Sequence, residues 1–173
     1  MSTTIDAQTF DTPAGPLSVL VDPADGHVVA AGFASATAIW ERLPAGSPDL
    51  RSDADLGPVA ELIEAYLGGD LAALDRIPVR QPGTALQQEV WDGLRAIPAG
   101  ETRTYTQLAA TTTKPKAVRA AGTACGRNLI APMVPCHRAL RTDGTLGGYY
   151  YGLEVKQWLL AHEGAASSPS STN

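Results

Sequence analysis

Cysteine is scarce in this chain, with two in 173 residues, Cys125 and Cys136. Two thiols cannot make a disulfide framework, and free thiols fit a reducing, cytoplasmic setting. Long apolar runs are also missing. None approaches the roughly 20 residues of a membrane helix, so no membrane partner is expected. Met1 to Asp11 is polar and acidic and is not expected to act as a signal peptide. Aromatics are few, at 6%, while alanine and glycine are abundant, which reads as a soluble globular chain. The length suits one good core or two small ones.

Acidic residues are absent from one long interval, between Glu101 and Asp143. The formal charge of −5 conceals this: residues 1–83 carry −8 and residues 84–173 carry +3. The acid-free interval holds Arg103, Lys114, Lys116, Arg119, Arg127, Arg138 and Arg141. Such a run is often only a solvated face. Beside a nucleophile it points to a polyanionic partner.

The first third reads as strands and turns. Leu17 to Val21 and Val28 to Phe33 are short apolar runs around Asp25-Gly26, a hairpin signal. A short helix over Ala34 to Glu41 and a loop from Pro44 to Pro58 follow. Pro58 then opens a helix that Gly68-Gly69 stops at about Leu67. This third, taken as a domain over 1–80, has the look of scaffold. A boundary is expected at Arg80-Gln81-Pro82-Gly83, where the charge changes sign. A second domain, over 81–164, then opens at Thr84, which forms a capping box with Gln87. The helix it starts puts Leu86, Val90, Trp91, Leu94 and Ile97 on one face.

A second capping box, Thr104 with Gln107, predicts a short helix through Ala110. Pro115 at a first helical position predicts another, from Lys116 to about Ala124. Two short helices around a tight turn have helix-turn-helix spacing. The last helix is predicted over Leu153 to Glu163, with Val155, Trp158, Leu159 and His162 on its face. A disordered tail is expected from 165 to 173.

Val134-Pro135-Cys136-His137-Arg138 sets a thiol beside a potential base, at the end of an apolar run from Leu129. A cysteine carried inward on an apolar strand is normally inert, whereas a cationic or basic neighbour can hold it as the nucleophilic thiolate. Both readings stay open on this pair alone. In an extended segment neighbouring side chains face opposite ways, so direct proton transfer between Cys136 and His137 is not expected.

The motifs together resemble one family. Gln87-Gln88-Glu89-Val90-Trp91, Ile97-Pro98-Ala99-Gly100-Glu101-Thr102-Arg103-Thr104-Tyr105, Ala117-Val118-Arg119-Ala120, Asn128 and Pro135-Cys136-His137-Arg138 stand in order and spacing similar to the methylated-DNA–protein-cysteine methyltransferases, which reverse O6-alkylguanine damage. The resemblance is strong over 84–164 and loose earlier, through Thr12 to Leu17. It implies an α+β chain: a small ribonuclease H-like α/β domain, then a mostly helical one with the helix-turn-helix. It also implies a monomer bound in the minor groove of double-stranded DNA, without a cofactor.

By the same resemblance, Cys136 takes the alkyl group of O6-alkylguanine, and of O4-alkylthymine, permanently after the base is flipped. His137 acts through a bridging water, Glu163 orients it, and Asn128 holds the active-site turn. Arg119 fills the gap in the stack. Tyr105 pushes the flanking phosphate and lines the pocket, and Thr104, Lys116 and Ala120 belong to the DNA-binding surface. Backbone at Ala139, Tyr149 and Tyr150 faces the base. Leu86, Leu129, Ala139-Leu140 and Tyr150-Tyr151 depart from the family pattern. Cys125, Cys136 and His137 lack the spacing of a closed zinc site, so no metal is expected. Two other classes compete. A lesion-binding or regulatory module would not need Cys136, and a Cys/His hydrolase would not need Arg119.

Overall fold

A computed structural model describes residues 3–165 and divides the chain into two compact units, 1–81 with 129–133, and 82–128 with 134–173. The predicted tail from 165 lies outside the described residues except for Ala165. Among the described residues no helix is long and apolar enough to cross a membrane.

The first unit is built on a four-stranded sheet. Strands β1 (Thr4–Phe10), β2 (Leu17–Asp22), β3 (His27–Gly32) and β4 (Asp49–Arg51) stand in the order β3-β2-β1-β4. The first three are antiparallel neighbours, and β4 runs parallel to β1. β2 is an inner strand buried at every position, and Ser18 within its apolar run gives its hydroxyl to the Ala34 carbonyl at 2.7 Å. Helix α1 spans Ala36–Trp40 and α2 spans Pro58–Leu67. A 3-10 helix, Leu71–Arg76, follows.

β1 was not visible as a strand because its polar residues hide the pattern. Asp6 receives two 2.7 Å hydrogen bonds from Arg51 on β4, and the Gln8 side chain accepts from the Leu56 amide at 3.0 Å. The same pairing places β4 inside what reads as loop between Pro44 and Pro58. The stretch 129–133, read as part of the second domain, returns to the first unit. Ala31 donates to the Leu129 carbonyl at 2.8 Å and accepts from Ala131 at 3.1 Å, while the Gln81 side chain accepts from the Leu129 amide.

In the second unit α3 spans Ala85–Arg95, and both halves of the Thr84–Gln87 capping box are formed. Val90, Trp91 and Leu94 are buried, and Trp91 donates its indole N–H to the Ala124 carbonyl at 2.9 Å. The second capping box is complete as well, with Thr104 opening α4 (Tyr105–Ala110). Helix α5 is Val118–Gly126, two residues later than expected. Pro115 does not open it. A helix starting there would need Lys114 as its cap, and lysine has no side-chain acceptor for the first amides. The connection is instead fastened by Glu89 of α3, whose carboxylate accepts from the Thr113 amide at 2.6 Å and hydroxyl at 2.9 Å.

Strands β5 (Arg103–Thr104) and β6 (Ala139–Leu140) pair in parallel, and α6 covers Leu153–His162. Its inner face is Lys156, Leu159, Leu160 and Glu163, rather than the face through Val155, Trp158 and His162. A lysine can be turned inward when carbonyl groups receive its ammonium, and here three do.

Gly83 lies against the Trp91 ring: a Cβ added there would sit 2.5 Å from the indole edge. Gly83→Ala is expected to destabilise the chain by about 1–3 kcal/mol, as overpacking does. Denaturant unfolding of the two proteins measures this, and equal midpoints would contradict the contact.

Candidate active site

The pairing of β5 with β6 sets Arg103 opposite Ala139 and Thr104 opposite Leu140. It thereby brings the start of α4, with Tyr105, alongside the segment that follows Cys136. That segment is not extended. Residues Cys136–Arg138 form one 3-10 turn after Pro135, closed by the Arg138 amide on the Pro135 carbonyl at 2.9 Å. Successive side chains in such a turn diverge by about 120°. His137 therefore goes fully inside while Cys136 stays half-buried. The expectation that the two side chains diverge holds for a different reason than the extended backbone assumed for it.

Asn128 braces the turn. Its side-chain amide donates to the Val134 carbonyl at 2.8 Å and to Cys136 Sγ at 3.4 Å. Its own amide is held by the Cys125 carbonyl at 3.3 Å, so the end of α5 fixes the brace.

Behind the thiol lies a wholly buried charged cluster. Glu163, at the C-terminal cap of α6, takes His137 Nε2 on Oε2 at 2.9 Å. Arg138 reaches the same carboxylate twice, through Nε to Oε1 and through its NH2 group to Oε2, both at 2.8 Å. The remaining arm of Arg138 donates to the Ile97 carbonyl at 2.6 Å. Burial works against the charge on Glu163. Hydrogen bonds from Arg138 and His137, together with the Arg138 charge, outweigh it and hold the carboxyl well below the ordinary carboxylate range. Burial also pushes the His137 imidazole below its usual range, against the pull of Glu163.

The consistent assignment is an anionic Glu163, a cationic Arg138 and a neutral His137. With the Nε2 proton given to Glu163, the Nδ1 lone pair is the acceptor. Nδ1 is buried and makes no hydrogen bond to protein.

Lys156 is the residue that sequence reasoning missed most completely. Its ammonium is buried and donates to the carbonyls of Ala139 at 2.8 Å, Gly148 at 3.3 Å and Leu146. Burial lowers its pKa to about 8. One side chain thus holds β6 and the loop that follows it. The available signal was the spacing of Lys156, Leu159, Leu160 and Glu163, which is one helical face. Arg138 was seen as part of the motif but not as the partner of Glu163.

Tyr105 is half-buried. Burial, reinforced by the two thiols, raises its hydroxyl pKa to about 12, so it stays protonated. Gly147 backs onto it, with a hypothetical Cβ 3.4 Å from the hydroxyl oxygen. Ala139 is fully buried, Tyr149 half-buried and Tyr150 exposed. Lys116 and Arg119 are exposed, Thr104 and Ala120 half-buried. The structure therefore brings Cys136 and His137 together in one turn, with Asn128 bonded to the first and Glu163 to the second. It sets Tyr105 beside the loop after β6, and leaves Lys116 and Arg119 on the surface. Among the described residues no three His, Cys, Asp or Glu side chains are grouped to hold a metal.

The neutral imidazole has a thermodynamic consequence. The folded-state pKa of His137 lies below the unfolded value of about 6.5, so as pH falls through that value the unfolded chain binds the extra proton and stability drops. His137→Gln is expected to flatten the decline in unfolding free energy between about pH 6.5 and 5. An unchanged slope in denaturant titrations would rule out a neutral buried imidazole.

Comparison with known proteins agrees with this arrangement. Residues 85–165 match the family described as 6-O-methylguanine DNA methyltransferase, DNA binding domain. The methylated-DNA–protein-cysteine methyltransferase of Salmonella typhimurium is 43% identical over 125 residues, 72% of this chain and 68% of that protein. The enzyme of the same description from Methanosarcina acetivorans is 47% identical over 103 residues, 60% of this chain and 65% of the relative. The crystal structure of Mycobacterium tuberculosis O6-methylguanine methyltransferase superposes with a TM-score of 0.74 at 29% identity, covering 94% of this chain and 96% of that one. A second structure of the Mycobacterium tuberculosis protein, in complex with DNA, gives the same TM-score at 31% identity, covering 94% and 96%. The chain belongs to the methylated-DNA–protein-cysteine methyltransferase family.

Proposed function

We propose that this protein repairs O6-alkylguanine in double-stranded DNA by moving the alkyl group irreversibly to Cys136. The observation that carries the reading is the bonded series Cys136–Asn128 and His137–Glu163–Arg138, which sets a half-exposed thiol on a rigid, charge-balanced base. The thiol proton passes through a bridging water to His137 Nδ1. The sulfur then attacks the alkyl carbon, the carbon–O6 bond breaks, and its electron pair leaves on the guanine oxygen. A proton returned to the purine balances the step and leaves a thioether on Cys136. Thioethers do not hydrolyse, so each molecule acts once. O4-alkylthymine is read as a second substrate by the same chemistry.

The arrangement of the side chains supports a role for each group around that step. Glu163 fixes the tautomer of His137 and Asn128 fixes the turn, in the pattern of nucleophile, base and orienter. Tyr105 and the backbone at Ala139, Tyr149 and Tyr150 border the pocket for the extruded base, where a donor stabilises charge on O6. Helices α4 and α5 serve as a helix-turn-helix laid in the minor groove, and Arg119 occupies the space the guanine leaves. Thr104, Lys116 and Ala120 lie on that surface. The antiparallel β3-β2-β1 order with β4 parallel to β1 supports a ribonuclease H-like reading of the first unit. The protein is read as a monomer.

Incubation with O6-methylguanine DNA is expected to add one methyl to the peptide holding Cys136, as read by intact and peptide mass. An unmodified wild-type mass overturns the reading. Arg119→Ala is expected to slow repair of duplex DNA on the order of 10- to 100-fold more than reaction with free O6-benzylguanine, because holding the base out costs a few kcal/mol; equal losses contradict its role. Glu163→Gln strands Arg138 and costs about 3–5 kcal/mol of stability. Measured on protein verified as folded, it is expected to slow alkylation about 100-fold or more with little change in DNA affinity. An unchanged rate removes Glu163 from the mechanism.

A further inference from the structure

The loop from Arg141 to Gly152 carries an aromatic feature that the transfer chemistry does not use. Tyr150 is 65% exposed, the most exposed large apolar side chain among the described residues. Its ring meets that of Tyr151 edge to face, with centroids 4.9 Å apart at 70°. Tyr151 in turn meets Tyr149 edge to face, at 5.9 Å and 68°. A ladder of three rings thus runs from the half-buried Tyr149 at the pocket out to solvent.

The loop is tied down at several points, so the outermost ring is presented on a fixed support. Lys156 binds the carbonyls of Leu146 and Gly148, and the Gly152 amide closes on the Tyr149 carbonyl at 3.0 Å. Thr142 shares a 2.7 Å hydroxyl contact with Thr106 on α4, and Gly147 lies against Tyr105. The loop is therefore bonded to the helix whose first turn holds Tyr105, and it continues the surface that the proposed function places on DNA.

We propose that the Tyr150 side chain is a nucleobase-stacking platform for the lesion-bearing strand, receiving the nucleotide next to the extruded guanine. The inference rests on the DNA-repair reading and extends it to a contact of this chain's own. A nucleobase fits better than a protein partner. One tyrosine offers about 150–250 Å², far below the roughly 1,000 Å² of a stable protein interface. Arg141 offers a cation to a backbone phosphate, against one carboxylate, Asp143, in the same loop. Exposed Arg141 lies on Gly147, and Asp143 in the same loop is engaged by the amide and hydroxyl of Thr145. Every base has a π-face, so such a contact strengthens binding without reading sequence.

The test compares Tyr150→Ala, Tyr150→Leu and Tyr150→Trp on O6-methylguanine duplexes with 2-aminopurine on either side of the lesion. Tyr150→Ala is expected to lose roughly 5- to 150-fold in lesion-DNA affinity, and this loss should exceed its loss of rate with free O6-benzylguanine. Quenching of the flanking 2-aminopurine is expected in wild type, to persist in Tyr150→Trp, and to disappear in both the alanine and leucine variants. Quenching retained in Tyr150→Leu, or equal losses on duplex and free base, would mean that Tyr150 only shapes the pocket and would overturn the proposal. Methyl transfer by wild type with no Tyr150 effect defeats this inference alone. No methyl transfer by wild type defeats the repair reading and this inference together.

Discussion

The carboxylate of Glu163 is the fixed point of the second unit. It accepts hydrogen bonds from His137 and Arg138, which are neighbours in one 3-10 turn, and it stands where α6 ends. A buried carboxylate is tolerable only when its charge is matched and its lone pairs are filled. Arg138 supplies the charge and His137 fills a further site. Because both donors leave the same short turn, satisfying the carboxylate also fixes the direction of Cys136. The stability of the cluster and the placement of the thiol are one constraint.

Lys156 plays the corresponding part for the segment that follows the turn. An ammonium has three donors, and here they go to three carbonyls of β6 and its loop. Glu163 and Lys156 lie on one face of α6, two turns apart in helical spacing. The helix thus supports the Cys136–Arg138 turn with one charge and the loop after β6 with the opposite one. Asn128 closes the arrangement from α5, and the paired β5 and β6 close it from the start of α4.

The second unit was largely legible because its sequence signals are local and mutually consistent. Both capping boxes formed where Thr84 with Gln87 and Thr104 with Gln107 stand, since a cap needs only residues three apart. Where the reading failed, a distant group had intervened. Helix α5 starts late because the turn before it is fastened to Glu89 in α3. β1 escaped notice because Asp6 is matched by Arg51, forty-five residues on. The face of α6 was assigned with Trp158 and His162 inside. Those two rings stack on each other at 4.8 Å, while Lys156 takes the interior place that hydropathy denies it.

The residue types and their order by themselves determined that this chain sets a thiol beside a potential base within a basic, acid-free stretch. The identities of Cys136, His137, Asn128, Arg119 and Glu163, with their spacing, carry the family resemblance. Tertiary structure decided how they work together. It put Cys136–Arg138 into a turn instead of a strand, made His137 neutral by burying it, and turned Lys156 inward onto three carbonyls. It also drew 129–133 back to the first unit and set Tyr150 out in solvent at the end of a ring ladder. Each of these depends on the balance between burying a polar group and finding it partners far away in the chain. No local stretch of sequence contains both halves of that balance.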